Sequence, residues 1–213
     1  RCATTAGTIL SGPFSRFQVI DTSEQEHVAG VAFKPGGTVP FISVPADEIS
    51  DADIPLAELW SRTDTAALRE QLLESRDADA ALDVLEATLR AHFSPGLHPA
   101  VAFALTAFAR ASGTATIADV TRAIGMSPKR FIERFRTEVG LTPKRFCRIR
   151  RFQHAVTRVH GGHAVNWPAV ALGAGYFDQA HFIHDFRSFA GLTPTGYQAV
   201  RTPFQNHVKF LQS

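Results

Sequence analysis

Two cysteines and nine histidines are the residues of this 213-residue chain best suited to bind a metal, and their spacing argues against it. Cys2 and Cys147 are far apart and lack the close partners of a metal ribbon or a disulfide framework. His181 and His184 stand three apart, and His160 and His163 bracket two glycines, but no third ligand joins either pair at a metal-binding spacing. Neither a Gly-x-Ser-x-Gly elbow nor a phosphate-cradling glycine loop is present. No catalytic residue, metal site or cofactor is therefore expected, and no cofactor-binding residue can be assigned. The groups left with chemistry to do are cations: Lys144, Arg145, Arg148, Arg150, Arg151 and Arg158 fall on one short stretch. Such a cluster suits phosphate, because Lys and Arg contacts to a polyanion release its counterions.

The net charge of +2 conceals a division. Residues 1–113 carry eight Lys and Arg against fifteen Asp and Glu, a net −7, whereas residues 114–213 carry fourteen against five, a net +9. A basic part joined to an acidic one implies that only the second faces a polyanion. Hydrophobic residues make up 45% of the chain, enough for two modest domains. No window approaches eighteen apolar residues, and the start has no apolar stretch of secretory length. The expectation is a cytoplasmic protein with no membrane partner and with reduced thiols.

The elements that must position these cations are legible in the periodicity. From Ala6 to Ser43 the pattern alternates, with Arg16–Ile20 and His27–Phe33 as strands, and Pro35-Gly36-Gly37 closes the second run. Hairpins are expected there, in a front module incomplete at its N-terminus. After Pro45 the spacing becomes helical, through Leu68 and Leu72, then Leu82, Leu85 and Leu89, then Val101, Leu105 and Phe108. Breaks fall at Pro95-Gly96 and Ser112-Gly113, and the second sets the expected boundary between a domain over 1–112 and one over 113–213.

From Thr114 onward the sequence repeats. Gly140-Leu141-Thr142-Pro143 returns 51 residues later as Gly191-Leu192-Thr193-Pro194, and Phe131, Phe135 and Arg136 return as Phe182, Phe186 and Arg187. Val120 and Gly125 return after 50, as Val170 and Gly175, so the second copy has one additional residue in its turn. In the first copy Ile117, Val120 and Ile124 form one apolar face, Gly125 supplies a left-handed stop, and Ser127-Pro128 caps and starts the next helix. Trp167, Val170 and Ala174, then Gly175 and Asp178, take the same roles in the second copy. Each copy is a helix, a tight turn and a helix, with second helices expected near 128–138 and 179–189.

At about 100° per residue, Phe131 and Phe135 share an inner face while Lys129, Glu133 and Arg136 point away. In the later copy Phe182, Phe186 and Phe189 turn inward, and Ala180, His184 and Arg187 turn outward. A solvated bundle helix would show the same faces. The conjunction of two such units with a basic helix between them favours a different use. Each second helix could enter one of two successive major grooves, roughly 34 Å apart, with phosphates at the capped helix ends.

These residues resemble the AraC/XylS family of bacterial transcription regulators over about the last hundred positions. The resemblance is carried by the run Gly175-Tyr176-Phe177-Asp178-Gln179-Ala180-His181-Phe182-Ile183-His184-Asp185-Phe186-Arg187, by Gly191 to Pro194, and by Tyr197. Met126 to Phe131 and Gly140 to Lys144 carry it in the first copy. It implies an α+β front part followed by an all-α domain of about seven helices with two helix-turn-helix units. Its implied partner is double-stranded DNA, contacted at Ser127, Lys129, Arg130, Ile132, Glu133, Arg136 and Lys144 in the first copy and Gln179, Ala180, His181, His184 and Arg187 in the second. Glu133 and His184 depart from the arginine frequent at their positions in the family. Glu133 could accept from cytosine N4 or pair with Arg130 or Arg136, the pairing being favoured. The family also implies an effector-sensing or oligomerising front module, and makes RNA polymerase, a small-molecule effector and a second copy of the chain candidate partners, in a nucleoid-associated bacterial setting. The residues themselves assign no pocket.

Two other kinds of protein would use such a domain. A DNA-repair protein of the adaptive response would accept methyl groups on a zinc-bound cysteine and needs four metal-ligating cysteines, where this chain has two. An architectural DNA-coating protein would share the charge without needing two capped helices. Cys147, beside Phe146, reads as a small packing residue.

Overall fold

The computed structural model describes residues 7–20, 27–110, 116–159, 165–202, 204 and 208. Cys2, the Ser112-Gly113 break and the His160/His163 loop lie outside the described residues. The chain forms two compact units that share the sequence discontinuously: Arg1–Phe14, Ile20–Ala102 and Glu133–Leu141 in one, and Ser15–Val19, Phe103–Ile132 and Thr142–Ser213 in the other.

In the first unit β1 (Ile9–Ser11) pairs antiparallel with β2 (Asp53–Pro55), with Leu10 opposite Ile54, and Ser11 Oγ donates to Asp53 Oδ1 at 2.6 Å. A 3-10 turn, Leu56–Glu58, leads into α1 (Arg62–Glu74) and α2 (Ala78–Ala91). Both helices start on side-chain caps, Ser61 accepting from the Asp64 N–H and Asp77 from that of Ala80, which satisfies donors no helical carbonyl can reach. The unit also takes the start of α3 (Pro99–Arg110) and, through Glu133–Leu141, the end of α5 (Pro128–Val139). Ala46, Ile49, Leu68, Val101, Phe135 and Val139 are buried in it.

The hairpins expected of Arg16–Ile20 and His27–Phe33 are not formed: neither run is a strand, and Val19, Ile20, Val28 and Val31 are exposed. Alternating apolar residues specify a strand only when a partner strand and a buried face are supplied, and β1 finds its partner 42 residues downstream instead. Arg16–Ile20 is used differently, since Phe17 lies against Gly191 within the second unit. The turn at Pro35-Gly36-Gly37 does form, with Gly36 at φ 75° and the Gly37 N–H bonded to Lys34 O at 2.7 Å.

The second unit contains α4 (Ile117–Ile124), the start of α5, α6 (Pro143–Val159), α7 (Trp167–Gly173), α8 (Gln179–Ala190) and α9 (Pro194–Val200). Six helices thus follow residue 113 among the described residues, where about seven are expected. The repeated Gly-Leu-Thr-Pro is a stop and start signal. Gly140 and Gly191 take φ 81° and 69° where α5 and α8 end, Thr142 and Thr193 accept from the N–H groups of Arg145 and Gly196, and the prolines begin α6 and α9. The unit's core is aromatic, with Phe186 at its centre, 5.1 Å from Phe152, 5.8 Å from Trp167, and 5.5 Å from both Phe182 and Tyr197 by ring centroid.

Candidate nucleic-acid interface

The first helix-turn-helix is built from α4 and α5. Thr116 caps α4 by accepting from the Asp119 N–H at 3.1 Å, and its hydroxyl donates back to Asp119. That hydrogen bond, with the one from Arg122, holds the Asp119 carboxyl below its ordinary range. Gly125, at φ 65°, stops α4. Ser127 O accepts the Phe131 N–H at 3.0 Å, while the Ser127 hydroxyl reaches the Arg130 N–H only at 3.5 Å, a weak cap.

The first turns of α5 have distinct inner and outer faces. Phe131 and Phe135 have no exposed surface, and Ser127, Lys129, Arg130, Ile132, Glu133 and Arg136 are all exposed. Arg136 does not pair with Glu133: its Nε lies 2.9 Å from Asp47 Oδ2, and among the described residues Glu133 has no ion pair. The same stretch of the front half, Ala46 to Ser50, follows the end of α5. The Ala46 N–H donates to Thr137 O at 2.7 Å, Ser50 Oγ donates to Gly140 O, and a Cβ at Gly140 would lie 2.3 Å from Pro13. Buried Glu138 accepts the His98 N–H at 2.8 Å and lies 3.5 Å from Arg134.

The second helix-turn-helix consists of α7 and α8. Asn166 caps α7, and the Asp178 carboxylate caps α8 by accepting the His181 N–H at 2.7 Å. Gln179, Ala180, His184 and Arg187 are exposed on α8. His181 is half-buried: its ring stands edge-on to Tyr176 at 5.4 Å, and its Nε2 lies 3.6 Å from Asp185 Oδ2. Only part of that imidazole is free to meet a ligand.

Asp185 is a structural residue of this site that the sequence reading does not single out. It sits on the inward arc of α8 between Phe182 and Phe186 and is fully buried, with Arg148 of α6 donating to it through Nε at 3.2 Å and through Nη2. The hydrogen bond to Asp185 raises the Arg148 guanidinium above its ordinary value. Arg145 donates to Ser15 O and lies over Phe189, and Arg151 lies 5.3 Å over the Tyr176 ring. Burial, reinforced by the Asp185 charge, pushes the Tyr176 hydroxyl up. The basic stretch of α6 is therefore divided. Arg145, Arg148 and Arg151 are at least partly buried and hold α6 to its neighbours, while Lys144, Arg150 and Arg158 remain exposed. The available signal was one carboxylate on an otherwise apolar helix face, facing a helix rich in arginine.

Paired, capped helices that end on left-handed glycines and bury their rings while exposing polar faces define a helix-turn-helix protein. Residues 120–199 match the family described as a helix-turn-helix domain, and residues 1–55 match a domain of unknown function, DUF6597. Residues 120–199 thus form a helix-turn-helix domain of the AraC type. No curated protein matches it. Among solved structures it is similar to a DNA-binding transcriptional dual regulator from Escherichia coli K-12, at 27% identity over 50% of this chain and 96% of that one, with a TM-score of 0.41. It is also similar to the C-terminal domain of AraT, a response regulator from Geobacillus stearothermophilus, at 19% identity over 53% and 97% of the two chains and a TM-score of 0.45. Among the described residues no helix is long and apolar enough to cross a membrane.

Proposed function

We propose that the chain recognises a specific duplex sequence by placing α5 and α8 in two successive major grooves, and so controls transcription from a bacterial promoter. The observation that carries this reading is the separation of faces on both helices: the phenylalanines are buried, while Lys129, Glu133 and Arg136 on α5 and Gln179, His184 and Arg187 on α8 stand in solvent. Lys129, Ile132 and Glu133 on α5, and Gln179, Ala180 and His184 on α8, meet base edges. Ser127, Arg130, Lys144 and Arg187 meet phosphates, as do Arg136 once released from Asp47 and His181 through its exposed edge. Selection of bound duplexes from random-sequence DNA tests it. The expected product is a two-part site with its halves about one helical turn, roughly 34 Å, apart. Failure to retain any duplex at low salt would end the reading.

The front half senses a small apolar effector and brings two copies of the chain together, with RNA polymerase engaged at the promoter. What supports a ligand is a groove of about 530 Å³ lined by Val31, Phe41, Leu82, Leu85, Leu89 and Phe93, with the Glu86–Arg90 ion pair at its wall. That volume lies within the ~300–1,000 Å³ of small-molecule sites. Stabilisation of the chain by an apolar metabolite, lost in Leu85→Asp, is the expected result of a thermal-shift screen.

A further inference from the structure

The turn of the second helix-turn-helix is one residue longer than the first, and the structure identifies that residue. Gly125 and Gly175 correspond, at φ 65° and 83°, and so do Ser127 and Asp178, each immediately before its helix. Met126 and Tyr176 follow the glycines, the first half-buried and the second buried. Phe177 has no counterpart. It is 97% exposed, the highest value among the exposed large hydrophobic residues described.

Both of its neighbours are anchored. The Tyr176 ring packs 5.2 Å from Phe182 and its N–H is bonded to Ala171 O at 3.0 Å, while the Asp178 carboxylate is engaged in capping α8. Between these two anchored residues the phenyl ring stands in solvent at the N-terminal end of α8. Gln179 and Ala180, both exposed, begin the helix beside it.

We propose that Phe177 is a specificity-determining residue whose ring reads the C5-methyl group of a thymine in the half-site bound by α8. This rests on α8 being a recognition helix, whose N-terminal end is the part that reaches base edges. The thymine methyl is the one apolar feature that the major groove offers, and phenylalanine is among the side chains that contact it. An uncharged ring has nothing to offer a phosphate. Burying it against a methyl group, by contrast, removes apolar surface of both partners from water.

The probe is a duplex selected from random-sequence DNA with the full chain, in which each thymine in turn is replaced by deoxyuracil, which lacks only that methyl. Positions at which Gln179→Ala relaxes base preference locate the α8 half-site. At one thymine there, the wild-type chain should lose about four-fold in affinity, the worth of one buried methyl group. Phe177→Ala should bind more weakly and be indifferent to the same replacement, and Phe177→Leu should keep part of the sensitivity. Full sensitivity in Phe177→Ala would overturn the assignment, and if the variant also binds both duplexes more weakly by the same factor, the ring lies on the sugar–phosphate backbone. If no duplex is recovered, or Gln179→Ala alters no base preference, the reading of α8 fails and takes this one with it. Intact Gln179 dependence with an unaltered Phe177→Ala profile removes the ring assignment alone.

Discussion

The Arg148 guanidinium, on α6, grips the Asp185 carboxylate on the buried side of α8, with Nε 3.2 Å from Oδ1 and Nη2 bonded to the same oxygen. The helix whose outer face bears Gln179 and His184 is thereby tied to the basic helix behind it by a charged strut. A buried carboxylate is tolerated only while its partner remains, which gives the first test.

Arg148→Ala should destabilise the chain by ~3–5 kcal/mol, because it strands a buried charge. The double variant Arg148→Met/Asp185→Leu should be close to neutral, since the desolvation cost leaves with the pair. Urea unfolding of the two variants measures the difference. Equal losses in both would show that packing, not charge, matters there.

Arg136 lies on the outer face of α5 but is held by Asp47. Because Arg136 is well exposed, the pair should contribute only ~0–1 kcal/mol to stability, so Asp47→Asn should melt almost as the wild type does. Its DNA affinity should rise, and the slope of log affinity against log salt should steepen by about one, as one more cation reaches phosphate. A salt titration with an unchanged slope would leave Arg136 a purely internal group.

Gln179→Ala should cost ~1–3 kcal/mol and blur a single base position, whereas Arg150→Ala, exposed on α6, should weaken every duplex alike. Affinities on a panel of single-base variants of the selected site separate the two patterns. The reverse assignment, with Arg150 discriminating and Gln179 uniform, would move the reading surface from α8 to α6.

Gly125 and Gly191 both adopt left-handed backbone, at φ 65° and 69°, but a Cβ at Gly125 would meet open space and one at Gly191 would lie 2.6 Å from the Phe17 ring. Gly125→Ala should therefore cost roughly the 1–2 kcal/mol of the backbone conformation alone. Gly191→Ala should cost more, and Phe17→Ala in the same chain should recover the excess. Unfolding midpoints of the three variants decide this.

Burial raises the Cys147 thiol above its ordinary value, against the pull of Arg151 and Arg150. The thiolate is the reacting form, so at pH 7 to 8 a smaller fraction of Cys147 is reactive than of a free cysteine. Alkylation of the Cys147 peptide, followed by mass spectrometry against pH, should be slow there and accelerate only above the usual thiol range. Rapid reaction at neutral pH would point to a redox role instead of packing.

The second half of the molecule was legible because its signals are local. Gly-Leu-Thr-Pro states a helix stop and a helix start within four residues, and the three- and four-residue spacing of Phe131, Phe135, Phe182, Phe186 and Phe189 fixes which side of α5 and α8 turns inward. The additional residue in the second turn was countable from the offset of 50 against 51. That the added residue is Phe177, and that it stands in solvent, needed the packing of Tyr176 and the capping by Asp178.

What the sequence by itself determined was the duplicated helix-turn-helix and the two outer faces, since helix period, caps and glycine stops act within a few residues. The tertiary structure alone decided which charges are spent. Arg148 finds Asp185 across 37 residues and Arg136 finds Asp47 across 89, and charge type says nothing about a partner so distant in the chain. The front half followed the same rule. Alternation in Arg16–Ile20 and His27–Phe33 offered strands, but a strand exists only with a neighbour to bond, and the neighbour was given to Ile9–Ser11 instead.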